Sequence, residues 1–346
     1  MRSGRIRRST GTPARCVRLA QVVRSLLHAA SITLLAFGLS ARSEALELTA
    51  SHVNPPGEPT FEAFDYLAKR LAQRGSGVRL RAFPRGQLGD EKDIIEQVRL
   101  GALSMASIST AALSAFAPSA GVFDIPFLLR DHDRHPWIVA DSAIGKRVAA
   151  QIERETGLAV LGWWSAGMRH VFTRAIDVRG AADLGGLKIR VIGSPVYMDT
   201  FNQLGAKSTP MPYGELYTAL ATGTVDAAEN DTTGYRNMKF YEQAPHLSLT
   251  GHFFMFKVII ANRRLLARMT PEQRSAFDQA LAEATRFQRD LAASKFESDL
   301  AWLAKSAKVT ITTPDRASLE AAVRAVQETY AKRFGPALVE AIRSAR

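Results

Sequence analysis

"GLKIRVIGSPVYMDTFNQLGAKSTPMPYGELYTALATGTVDAAEN", residues 186–230, sets a strand, two helices and another strand in immediate succession. Leu187, Ile189 and Val191 alternate with their neighbours as a half-buried strand does. Ser194 stands as N-cap, Pro195 at the first turn and Gly205 beyond the last periodic residue, which bounds a helix over "SPVYMDTFNQLG". "PYGELYTALATG" reads as a further helix, and "TVDAAEN" leaves it as a strand. Strands alternating with helices of this length specify an α/β fold with a largely parallel sheet. One residue breaks the pattern. Arg190 is the only arginine of the stretch and stands in its apolar strand with no carboxylate beside it. A guanidinium cannot shed its proton, so burying it demands an anion or a strong acceptor. Asp226 and Glu229 are candidates within the chain; a ligand carboxylate, which the planar fork matches with two bonds, is the other.

The same grammar precedes this stretch. "LELTA" alternates as a first strand, and "PTFEAFDYLAKRLAQRG" puts Phe61, Phe64, Leu67, Ala68 and Leu71 on one helical face between Pro59 and Gly75. "VRLRAFP" is a strand, "DEKDIIEQVRLG" a short helix closing on Gly101, and "LSMASIST" a strand. After a connector come "LAVLGWWS" and "MRHVFTR" as two strands. Two α/β lobes therefore follow one another. "LSLTGHFFMFKVIIAN" is long for a single strand and suits a crossing between lobes. From Pro271 to about Ala307 runs one helix of over thirty residues without an internal Gly or Pro. Its apolar residues keep no heptad, so a helix braced across both lobes is expected in place of a coiled coil.

The chain has 346 residues, 46% of them hydrophobic, and a formal charge of +12. Residues 1–45 hold eight arginines and one glutamate, seven of those twelve charges, which leaves a mildly basic remainder of +5 and argues against a nucleic-acid binder. That segment has an Arg-rich start, an apolar run of roughly 14 residues from about Leu26 to Leu39, and small residues ending at Ala45. This is the order of a secretory signal peptide, and the run is short of the roughly 20 residues of a membrane-crossing helix. Cys16, the only cysteine, lies before the apolar run and leaves with the signal, so the mature chain has no disulfide, thiolate metal site or cysteine nucleophile.

No G-x-S-x-G, H-E-x-x-H, phosphate-binding loop or dinucleotide fingerprint is present. "DHDRH", residues 131–135, resembles a metal cluster but sits where a helix begins, as capping residues do. His170, His246 and His252 lack ligand spacing. No metal and no cofactor are expected.

The residues nonetheless carry a resemblance. "DLGGLKIRVIGSPVY", "LGAKSTPMPYGELYTALATGTVDAAEN", "KFYEQAPHLSLTGH", "RGQLGDEKDIIEQVRLGAL" and "FDIPFLLRD" closely resemble the substrate-binding proteins of tripartite ATP-independent periplasmic (TRAP) transporters, the DctP-like family. The resemblance runs from about Leu46 to near the C-terminus. It implies an α/β, periplasmic-binding-protein type II-like fold: two lobes, hinge strands and a long helix spanning both. Residues 46–167 with 256–297 would form one lobe, and 168–255 with 298–346 the other. It implies a monomeric binding protein in the periplasm of a Gram-negative cell that delivers a small organic acid to integral-membrane TRAP permease subunits.

Residue by residue, the resemblance assigns Arg190 to the ligand carboxylate, Arg169 of "GMRH" to a supporting role, and Asn230 to the ligand face. Tyr213 takes an aromatic position that packs against the ligand or in the core. His52, Asn54, Glu91 and Asp231 occupy loop positions suited to ligand hydroxyls, or act as caps. The chain departs from the family pattern at Ile192, where Pro often stands, and at Ala227 and Ala228, where Gly is frequent. The polar candidates suit a uronate or aldonate; a C4 dicarboxylate and an aromatic acid stay open. The rivals are a periplasmic sensor subunit and an exported hydrolase or lyase using Glu91, Asp226 or Glu229 as acid and base.

The mature chain is expected to begin at or near Leu46. N-terminal sequencing of the exported protein checks this, and an exported form retaining the Arg-rich segment contradicts it.

Overall fold

The computed structural model describes residue 4, residues 45–306 and residues 308–346; apart from residues 4 and 45 themselves, the signal-peptide assignment lies outside the described residues. From Ala45 onward the chain is one compact unit. Its strands are β1 (Leu46–Ser51), β2 (Val78–Phe83), β3 (Met105–Ser109), β4 (Ala159–Thr173), β5 (Lys188–Val191), β6 (Lys207–Pro210), β7 (Ala227–Asn230), β8 (His246–Ala261) and β9 (Thr310–Thr312). The helices that position the site are α1 (Pro59–Gln73), α2 (Glu91–Leu100), α3 (Pro195–Gln203), α4 (Thr232–Asn237) and α5 (Pro271–Ser306).

All nine strands belong to one mixed sheet in the order β2-β1-β3-β8-β4-β7-β5-β6, with β9 beside β8. The β1 pairs with β2 and β3 are parallel, as are β5 with β6 and β7. Between these two parallel groups run β4 and β8, antiparallel to each other. The sequence suggests two strands over 158–165 and 168–174; the structure joins them into the 15 residues of β4. They join because β8, 16 residues long, pairs with both parts, and the ladder absorbs the break as register shifts between Ser165 and Met168 and between Arg169 and Val171. Such irregularities bend and twist a sheet. Gly167 sits at the first of them with φ +79°, where a Cβ would lie 2.7 Å from the Cβ of Asp231. Only glycine combines that backbone with that approach.

The α5 helix has the expected length, 36 residues, and braces the crossing. Near its start Glu283 takes Arg70 and Arg74 of α1 and its border, and Phe287 stacks on Tyr66. At its middle Gln288 is fully buried: its Oε1 accepts from the Ser165 amide at 2.8 Å and its Nε2 donates to the Ser165 carbonyl at 2.8 Å. Toward its end Asp299 takes Arg236 of α4. Separate apolar clusters flank this frame, one around Phe64, Trp164 and Phe277, another around Phe172, Tyr235 and Phe240. The helix thus touches elements of both expected lobes while holding the peptide at which β4 bends. Ahead of the helix that starts at His135, Asp131 accepts from the amides of Arg134 and His135, both at 2.8 Å.

Replacing Gln288 by leucine strands two buried backbone groups of Ser165, each worth about 1–3 kcal/mol when left unpaired. Gln288→Leu is expected to lower the unfolding free energy by about 2 kcal/mol or more in urea titrations; a change under about 0.5 kcal/mol contradicts the bracing role.

Candidate functional site

A cavity of about 280 Å³ lies against the β4–β8 crossing. One wall comes from the loop after β1 with Asn54 and Glu58, the N-terminus of α2 with Glu91, Ser109 at the end of β3, and Lys257 on β8. The facing wall holds Arg190 on β5, Tyr213 after β6, Asn230 ending β7 and Asp231 before α4, with Arg169 on β4 at its base.

Arg190 is 3% exposed, and its nearest acceptor is not a carboxylate. Its Nε and Nη2 both donate to the Met211 carbonyl, at 2.9 and 2.6 Å. Neither acid proposed from the sequence reaches it. Asp226 lies at the far end of the strand, accepting from the Lys188 amide at 2.9 Å. Glu229 is fully buried but belongs to Arg169: it accepts from Nε at 2.6 Å and from Nη2 at 3.0 Å, and Arg169 Nη1 donates to Asn230 Oδ1. Register explains the split. Arg190 faces Ala228 across the β5–β7 pair, one residue before Glu229, whereas Arg169 borders the β4–β7 pairs His170–Asn230 and Val171–Glu229. Burial lowers the Arg190 pKa, Glu229 opposes that and the Arg169 charge adds to it; even so the guanidinium keeps its charge at neutral pH. The site therefore contains one arginine neutralised by protein and one held only by a neutral carbonyl.

Tyr213 joins the walls. Its hydroxyl donates to Glu58 Oε1 at 3.1 Å and accepts from Asn230 Nδ2 at 3.1 Å. Its ring meets Phe240 edge-on, so it packs and lines the cavity at once. Asn54 lines the cavity and donates to Glu58 Oε2. Asp231 accepts from the amides of Thr233 and Gly234 as the cap of α4 while also lining the cavity. Burial pushes its carboxyl up to about 6 against the pull of Arg169. Glu91 accepts from Lys257 Nζ at 2.8 Å, from the Ser109 amide at 2.8 Å and from the Ser109 hydroxyl at 2.5 Å. Burial would raise its pKa, but Lys257 and Ser109 hold it below the ordinary carboxylate value. His52 is outside the cavity wall: fully buried, it stacks on Phe64 at 5.1 Å, and burial with the Lys257 charge lowers its pKa to about 3. Its two ring nitrogens are buried without a hydrogen-bond partner among the described residues.

Lys257 and Glu58 are among the cavity residues absent from the sequence reading. Lys257 stands in "HFFMFKVIIAN" as Arg190 stands in "LKIRV", a charge inside an apolar strand, and the same reasoning finds it. Glu58 precedes Pro59 in the N-cap position of α1 but makes no cap bond there; nothing in its neighbours marks it. Burial foremost, with the charge of Asp231 adding, pushes Glu58 up to about 7. Among the described residues no cluster of acidic or histidine side chains could hold a metal ion.

Glu58 holds its proton more tightly folded than unfolded, so its contribution to stability is complete below about pH 4.5 and is lost as pH rises through about 7. Buried histidines such as His52 and His170 work in the opposite sense, and comparison with Glu58→Gln cancels them. That variant is expected to match wild type near pH 4.5 and to exceed it by about 2–3 kcal/mol at pH 8. Urea unfolding at the two pH values reads the difference, and a gap that does not widen with pH rejects the assignment.

Residues 50–335 match the bacterial extracellular solute-binding protein, family 7 (DctP). The 2,3-diketo-L-gulonate-binding periplasmic protein YiaO of Escherichia coli is 33% identical over 247 residues, 71% of this chain and 75% of that one. A TRAP periplasmic solute-binding protein from Roseobacter denitrificans, solved with bound β-D-glucuronate, is 30% identical with a TM-score of 0.82 over 87% of this chain and 100% of that one. Another from Sulfurospirillum deleyianum, solved with bound succinate, is 27% identical with a TM-score of 0.83 over 87% of this chain and 99% of that one. The two-lobed α/β frame, the cleft with its carbonyl-held arginine and the match over most of the length converge: the chain belongs to the DctP family of TRAP transporter solute-binding proteins.

Proposed function

We propose that this protein captures a small hydroxylated organic acid, of the uronate or aldonate class, between its lobes in the periplasm and delivers it as a monomer to integral-membrane TRAP permease subunits. The observation that carries the reading is the Arg190 fork, buried yet bonded only to the Met211 carbonyl. A buried cation demands a counter-charge, and a carboxylate offers the one whose geometry fits a planar fork. Lobe boundaries at about residues 167, 255 and 297 place Arg190, Tyr213, Asn230 and Asp231 on one side and Asn54, Glu58 and Glu91 on the other. Closure then brings a carboxylate-binding pole against a wall rich in carboxyl acceptors, which suits hydroxyl groups.

The ligands named for the relatives, 2,3-diketo-L-gulonate and β-D-glucuronate, combine those two features. Arg169 enters as a positioning residue in this reading, because Glu229 already takes its Nε and Nη2. It presents Asn230 to the cavity and shares the site's positive potential. Of the three acids named for acid–base catalysis, Glu91 is held by Lys257, Glu229 by Arg169, and Asp226 lies outside the cavity wall. A sensor role for the same ligand-bound form is distinguished by whether neighbouring genes encode permease subunits.

Thermal-shift screening against organic acids identifies the ligand, since an acid at 100 times its Kd stabilises by about 2.7 kcal/mol. With that acid, Arg190→Lys keeps the charge and loses the fork. Losing one charged hydrogen bond is worth roughly 1.5–3 kcal/mol, so calorimetry is expected to show binding weakened about 10-fold to over 100-fold, and further for Arg190→Ala. A folded Arg190→Lys protein that binds as tightly as wild type removes Arg190 from the ligand site.

A further inference from the structure

We infer that Glu91 sets the charge of ligand the cavity admits: by neutralising Lys257 it leaves Arg190, among the described residues, as the one buried cation lining the cavity without an ion pair, so that monocarboxylates enter and dicarboxylates are refused. The inference rests on the reading that Arg190 takes the ligand carboxylate.

The strand register builds the device. Ser109 on β3 faces Lys257 on β8, and both reach Glu91 at the first position of α2. The lysine side chain is 5% exposed and the glutamate 13%, and both line the cavity. Ser109 adds two bonds to the same carboxylate, and the helix N-terminus favours its charge. Without Glu91, the buried ammonium of Lys257 would face the cavity as a second unmatched cation beside that of Arg190. With it, the wall opposite Arg190 offers Lys257 already paired and the Glu58 carboxyl, and Asp231 adds a carboxyl on the side of Arg190 itself. Arg169 is likewise matched by Glu229, and Lys92, which also lines the cavity, is exposed, so that solvent screens its charge. A hydroxyl can donate to any of these oxygens. A second ligand carboxylate can donate to none and is repelled by those that are ionised.

Matched ligand pairs isolate the effect: galactonate against galactarate, and 4-hydroxybutyrate against succinate, each differing by a terminal hydroxymethyl turned carboxylate. Calorimetry on wild type is expected to favour the monocarboxylate at least tenfold in any pair that binds. Glu91→Gln is expected to shrink that preference at least tenfold, a change of about 1.4 kcal/mol, while Lys257→Met, which leaves Glu91 unmatched, sharpens it. Circular dichroism confirms folding, and Lys257→Met answers the question where Glu91→Gln does not fold. A wild type that binds galactarate as well as galactonate, or succinate as well as 4-hydroxybutyrate, overturns the proposal, as does a preference unmoved in the folded variants. Binding of none of the four acids, nor of D-glucuronate or D-erythronate, instead overturns the carboxylate reading of Arg190 and the proposal with it.

Discussion

A permanently charged guanidinium held in a strand by a neutral carbonyl is the constraint on which this structure depends. Two arginines lie within the same buried layer, and they are solved differently. Arg169 meets Glu229 through two nitrogens, an arrangement whose desolvation cost is offset within the protein. Arg190 meets only the carbonyl of Met211, so part of its cost stays uncompensated within the protein. Under the proposed function, that asymmetry is what an arriving carboxylate would relieve. An arginine matched by its own carboxylate would rigidify the strand and attract nothing.

The frame exists to hold the two walls around that charge. β4 and β8 run the length of the sheet and carry polar cavity residues where the ladder is irregular: Ser165, Gly167 and Arg169 on one strand, Lys257 on the other. The α5 helix fixes the bend by taking both backbone groups of Ser165 on one glutamine. The same residues that shape the irregular ladder line the site. Tyr213, bonded to Glu58 across the cleft and to Asn230 on its own side, couples the two.

Electrostatics divides the cavity into unequal poles. Arg190 supplies the positive one, while Glu58 and Glu91 form the acceptor-rich wall facing it and Asp231 adds a carboxyl on its own side; burial raises Glu58 and Asp231, and Lys257 lowers Glu91. A ligand with a carboxylate at one end and hydroxyls at the other satisfies both poles. Closure removes water from between them and strengthens each contact in the lower dielectric.

The sequence alone determined the α/β class, the 36-residue helix and the special status of Arg190, because hydrophobic period, caps and a charge in an apolar strand are local signals. By the same logic Lys257 was legible but unread. The partners of those charges were not legible. Glu229 stands closer in sequence to Arg190 than to Arg169, yet sheet register gives it to Arg169, and the acceptor of Arg190 is a main-chain oxygen that no residue type announces. His52 sits in the loop suggested for ligand contact and turns into the core, since stacking on Phe64 depends on how α1 packs over β1. Glu58 acquires its raised pKa from burial against Asp231, 173 positions away. Tertiary structure decided these pairings because a charge's partner is whatever the fold places within about 3 Å, and distance along the chain does not encode it.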